Sequence, residues 1–264
     1  MIGSSVPLEI KNNAQLKRVL AEDGETNTAW LQRAAKEGVS LEGSLLLLGG
    51  TTMADFRVRI SQSHLRFDLT PSYWSLVAVL SGKDTVYTVP LEINEEISEI
   101  PRLNAVQETE LSAYDDPERF PNIAVIQLTD TPEKVLKYTE AMKLQRGLVD
   151  LPALVLSWLA FVWCVGKKGN PLLEGDGLPS AVFAESLFGL AGIELTPGLA
   201  TASTCPEAMW QAAKWWASFY EDTRTIASPS HAQVIVPKGC FVLRQPDPVI
   251  RKREQQGQKM IFAN

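Results

Sequence analysis

The sequence predicts an α+β fold, with a small antiparallel sheet packed against helices. Three observations carry this. Short apolar runs punctuated by glycine, proline or polar turns fall mostly before residue 130. Apolar residues at helical spacing dominate from there to about residue 220. Finally, 45% of the chain is hydrophobic, an ordinary share for a globular protein able to bury a core.

Taken in order, Leu16, Val19 and Leu20 repeat at helical spacing, and Trp30, Ala34 and Val39 do so more loosely, so the first forty residues read as two helices. The polar run from Glu22 to Asn27 separates them, and Asn27 or Thr28 is placed to cap the second. Ser44 to Gly50 is a short apolar run ended by two glycines, the pattern of a buried strand. Residues 52–66 read as a helix carrying Phe56, Ile60 and His64 on one face. Trp74–Leu80 and Thr85–Val89 form a strand pair around the turn 81–84. Residues 94–119 are rich in carboxylates and read as a solvated connection, and Ile123–Leu128 is a further strand.

Asp130-Thr-Pro-Glu133 marks a helix start, and that helix runs to about Gln145. A helix over 152–165 follows, then a Gly/Pro loop, then a helix from Ser180 to Leu190 closed by Gly192. Thr204-Cys-Pro-Glu207 reads as a capping box before a helix whose face carries Met209, Ala213, Trp216 and Tyr220. Gln233–Val236 and Phe241–Leu243 bracket Pro237-Lys-Gly239 as a terminal hairpin.

Composition limits the function classes. A balance of 25 basic to 31 acidic residues, net −6, argues against a general nucleic-acid binder. Cys164, Cys205 and Cys240 are an odd number at wide spacing, neither a metal pattern nor a disulfide framework, so buried reduced thiols and no metal or other cofactor are expected. The N-terminus lacks the regions of a signal peptide, which makes a cytoplasmic location the expectation. Residues 151–166 carry no charge, but a spanning helix needs about 20 residues, so a core helix is expected and membrane contact is not.

Ser180 stands at a predicted helix start behind Leu178-Pro179, while Leu76 and Thr88 lie on consecutive strands of one hairpin. Thiol hydrolases need this layout: a nucleophile where the helix dipole lowers its pKa, a base on a neighbouring strand, and a polar residue that orients the base. Five segments, in order, resemble the circularly permuted papain-like hydrolases, the group that includes cell-wall peptidase relatives and lecithin–retinol acyltransferase-like enzymes. Gly43-Ser-Leu-Leu-Leu-Leu48 is similar to their opening strand, with Ser44 where that strand carries an acid. Ser72-Tyr-Trp-Ser-Leu-Val-Ala-Val79 resembles their S-x-x-S-H-V-G-I strand, with Leu76 at the histidine. Val86-Tyr-Thr-Val-Pro-Leu91 places Thr88 at the orienting position. Gly147–Leu154 resembles the segment that carries an acid at Asp150, and Ser180–Ile193 resembles the nucleophile helix, with Ser180 at the cysteine.

The resemblance implies a permuted papain-like domain over 41–245, preceded by an N-terminal helical extension over 1–40, interrupted by a polar insertion at 94–119 and followed by a mobile basic tail over 246–264. Trp74, Tyr87, Asp150, Pro179 and Glu185 would line its cleft. Leucine accepts no proton, and serine without a base is not activated, so no catalytic residue is expected at the degenerate positions Leu76, Thr88 and Ser180. His64 and His231 are the only histidines, and surface or structural roles suit both. The first reading is a catalytically degenerate domain that binds or regulates, with another protein as partner and an apolar or acyl ligand as an option. Two readings stay beside it: an active hydrolase or acyltransferase using Ser180, and a toxin or defence-system component that meets membrane or a protease partner.

Overall fold

A computed structural model describes residues 17–18, 22–82, 84–92, 105–127, 132–144, 151–223 and 239–242. They form an α+β fold. The strands are β1 (Lys17–Arg18), β2 (Leu45–Gly49), β3 (Leu76–Leu80), β4 (Thr85–Thr88), β5 (Gln107–Glu110), β6 (Asn122–Gln127) and β7 (Gly239–Val242). They make one sheet in the order β1-β7-β6-β2-β3-β4-β5. Every pairing is antiparallel except β1 with β7.

Among the described residues six α-helices accompany the sheet: α1 (Asn27–Lys36), α2 (Met53–Ser61), α3 (Pro132–Leu144), α4 (Leu151–Val162), α5 (Pro179–Leu190) and α6 (Pro206–Thr223). Helix α1 covers one face, where Trp30, Leu31 and Ala34 pack with Leu46, Leu48, Ala78, Leu80 and Val125. On the other face Leu45, Leu47, Val77, Val79, Ala124 and Ile126 pack with side chains of α4, α5 and α6. The four leucines of β2 thus split two and two between the layers, as the period of a strand requires. Each leucine so buried contributes about 1.5–3 kcal/mol of transfer free energy. Gly49 ends β2 where only glycine fits, because a Cβ there would overlap the carbonyl oxygen of Tyr73.

Several expectations need correction. Lys17–Arg18 is strand, not helix, since it pairs with β7. Helix α1 packs against the sheet, and Thr26, not Asn27 or Thr28, caps it, accepting from the Ala29 amide. Helix α2 buries Val58, Arg59 and Ser61, which leaves Ile60 and His64 exposed. The carboxylate-rich stretch is not wholly solvated: Gln107–Glu110 is the edge strand β5, and Leu111 and Tyr114 are buried in the α1 layer. Cys164 is exposed, whereas Cys205 is buried. Residues 94–104, Asp130, Asp150, His231, the strand expected at 233–236 and the tail 246–264 lie outside the described residues.

Candidate functional site

Ser180 sits in the first turn of α5, behind Pro179 at the first helical position, where a missing N–H costs nothing. The Leu178 amide donates to the Thr204 carbonyl (2.9 Å), which fixes where the helix begins. Helix α5 is buried almost all round, as befits a central helix lying over β3 and β4.

Strand β4 ends at Thr88, whose register partner is Ala78. The next β3 residue, Val77, has no β4 partner in register. Its amide donates to Ser180 Oγ (3.2 Å), and its carbonyl accepts from Thr88 Oγ1 (2.5 Å). The two nominated hydroxyls therefore bond to the two backbone groups of one residue, Val77, clamping it where the ladder stops. Ser180 and Thr88 are both fully or almost fully buried.

The side chains are arranged differently from the expectation. Leu76 pairs with Leu48 and packs with the α1 layer, on the far face of the sheet from α5. Val77 is the residue whose side chain joins the helical layer. The position facing Ser180 is thus one residue later than expected, and it is aliphatic. Thr88 lies opposite Ala78, also on the α1 side, and only its hydroxyl reaches back to the Val77 carbonyl.

The residues expected to line a cleft are interior. Trp74 is buried and meets Trp210 edge-on, with ring centroids 5.3 Å apart. Pro179 is buried in α5. Tyr87 packs in the helical layer and its hydroxyl donates to Glu140 (2.8 Å); burial, then the Glu140 carboxylate, raises its pKa well above the usual phenol range. Glu185 is buried and accepts from the amides of Leu195 (3.1 Å) and Thr196 (3.4 Å) and from the Thr196 hydroxyl (2.8 Å). Burial raises its carboxyl pKa despite these donors. It ties the loop after α5 back to that helix. His64, the one histidine among the described residues, is exposed, with Nδ1 3.0 Å from the Ser61 carbonyl.

A buried polar network that sequence reasoning missed holds the approach to β3. Glu207 accepts from Ser72 Oγ (2.6 Å) and Gln211 Nε2 (2.6 Å) and stands 3.6 Å from Arg66 Nη1. Its amide donates to Gln62 Oε1 (2.9 Å), and Gln62 Nε2 donates to the carbonyls of Trp74 (2.8 Å) and Val58 (3.0 Å). Arg59 Nε donates to the Ser72 carbonyl (2.6 Å). Glu207, expected to close a capping box on Thr204, instead anchors Ser72 from 135 residues away. Only an unusual density of polar residues between 59 and 75 hints at this in the sequence.

Among the described residues no group of three or more His, Cys, Asp and Glu side chains is placed to hold a metal ion. No described helix is long and apolar enough to cross a membrane. Burial pushes the Cys205 thiol up to about 12, which keeps it protonated and unreactive. Comparison with protein-family profiles, curated proteins and solved structures finds no match to this chain.

Proposed function

We propose that this chain is a catalytically silent relative of the permuted papain-like hydrolases that works by binding, as a regulatory or interaction protein of the cytoplasm. The observation that carries the reading is the Ser180 hydroxyl, which is 1% exposed and committed to the Val77 backbone. A nucleophile needs an open approach and a base within about 3 Å. Here the β3 side chain on its side is a valine, and the flanking Leu178 and Ala181 are buried apolar residues. The strand–hairpin–helix order and the placement of Ser180 at a helix start over β3 support descent from that fold. The closed interior around Ser180 favours recognition through the outer surface, with another protein as partner, over a small ligand held in a cleft.

The test is labelling and turnover. A fluorophosphonate probe should leave Ser180 unmodified, and any hydrolysis of ester or peptide substrates should survive Ser180→Ala. Stoichiometric labelling at Ser180, or turnover abolished by that substitution, would replace this reading with the active hydrolase.

A further inference from the structure

Exposed large apolar residues are normal when scattered and informative when gathered. Of the twelve such residues among those described, eight fall within two segments, 53–69 and 163–173. The segments are neighbours. Arg57 Nη1 on α2 donates to the Val162 carbonyl (2.8 Å) and meets Cys164 Sγ, and Asn170 Nδ2 donates to the Ser61 carbonyl (2.8 Å). Met53, Arg57 and Ile60 follow one another at helical spacing on α2, and Arg57 reaches the last turn of α4 and the residues after it, so this side of α2 runs alongside the end of α4.

The loop after α2 is shaped into an apolar tip. Arg66 points inward and makes two hydrogen bonds to Asp68, at 3.0 and 2.9 Å, and the Thr70 amide donates to the same carboxylate (3.0 Å). The alternate residues point out, so Phe67 is 86% and Leu69 71% exposed. Leu69 holds φ +55°, a left-handed conformation costly for leucine. Side-chain bonds to Asp68 hold this strained turn in place, so the tip is already ordered before it meets anything. Trp163 and Val165 stand beside Arg57, followed by exposed Lys167 and Lys168. The carboxylates within or directly beside the two segments, Asp55, Asp68 and Glu174, are paired with Arg119, Arg66 and Lys168.

We propose that this surface docks the protein on an anionic lipid bilayer, with Phe67, Leu69, Trp163 and Val165 entering the headgroup–acyl boundary and Arg57 and Lys167 meeting the lipid phosphates. Charge favours this occupant: Arg57 and Lys167 stand beside Trp163 and Val165 in a chain whose net charge is −6. Shape does too. A protein partner would need a matching hollow for each protruding side chain, whereas a bilayer accommodates protrusions of any outline. Tryptophan suits the boundary because its ring is apolar and its N–H wet. This departs from the sequence expectation that membrane is not met, and it stands apart from the Ser180 reading.

Co-flotation of the full chain with vesicles tests it. Vesicles about one-third phosphatidylglycerol should carry the protein, with weaker binding to pure phosphatidylcholine and at high salt. Phe67→Ser with Leu69→Ser should lower partitioning roughly tenfold. Lys167→Gln should weaken binding to the phosphatidylglycerol vesicles about fivefold. Leu199→Ser, an exposed apolar residue outside both segments, should change nothing. Melting temperatures establish that each variant is folded. Three results would each overturn the proposal: no flotation with anionic vesicles, flotation indifferent to the tip substitutions, or a dimer in solution that the tip substitutions split, which would make the surface an interface between copies.

Discussion

Replacing Ser180 by alanine separates a structural hydroxyl from a catalytic one by the sign of the stability change. In the structure Ser180 Oγ accepts the Val77 amide at 3.2 Å, just past the last β3–β4 pair, with Ser180 only 1% exposed. Alanine leaves that amide buried without its acceptor, a loss of about 1–3 kcal/mol. The bond is long, so the lower part of that range is expected, about 1–2 kcal/mol. For a chain of this size each kcal/mol moves the melting temperature by about 2–4 °C, so a fall of about 2–8 °C follows. Urea unfolding should show a lower midpoint with an unchanged slope. An active-site nucleophile behaves in the opposite way, because catalytic groups are held at a cost to stability and their removal is neutral or stabilising. A Ser180→Ala protein as stable as the parent, or more so, would refute the clamp.

Rebuilding a dyad tests the strand register: Val77→His with Ser180→Cys should raise alkylation at position 180 near neutral pH and cost about 1–3 kcal/mol for a buried imidazole, whereas Leu76→His with Ser180→Cys should not activate the thiol. Enhanced reactivity in the Leu76 pair would show the register to be wrong. Acid stability should report the tip of the 65–70 loop. The Arg66 guanidinium, hydrogen-bonded to Asp68, lowers that carboxyl from 3.8 to about 2. Because the folded-state value is the lower one, this contribution is present above pH 3.8 and is lost as pH falls from there towards 2. Asp68→Asn should flatten the acid limb of the stability curve in that window, and an identical pH profile in the variant would count against the pairing.

Much of the fold is legible in the sequence because local chemistry dictates it. Pro179 fixes the start of α5, the glycines around 43–50 bracket β2, and the turn at 81–84 joins β3 to β4. The register of β3 is not legible, since Leu76-Val-Ala-Val-Leu80 is apolar at every position and both faces of the sheet are covered. Without alternation, period two gives no phase, and the resemblance points to Leu76 where Val77 is the residue that faces α5. β5 reads as solvated because it is a polar edge strand, half in water. Glu207 matches a local helix-start pattern, yet its partners Ser72, Gln62 and Arg66 come from a distant part of the chain. The Ser180–Thr88 pairing was legible as proximity. Its use as a backbone clamp was not, because that depends on β4 stopping one residue short of Val77.

The two-sided burial of β2 has a consequence for how the protein fails. Leu45–Leu48 is four consecutive leucines without charge or proline, hidden only while α1 on one side and α5 on the other stay in place. Once the layers part, this segment and the apolar β3 and β6 become adhesive stretches able to pair between molecules. Heating would then end in aggregation that competes with refolding, and the apparent midpoint would depend on scan rate and concentration. The lifetime of the protein when warm is set by how often those layers open, a rate governed by the unfolding barrier and not by the equilibrium free energy.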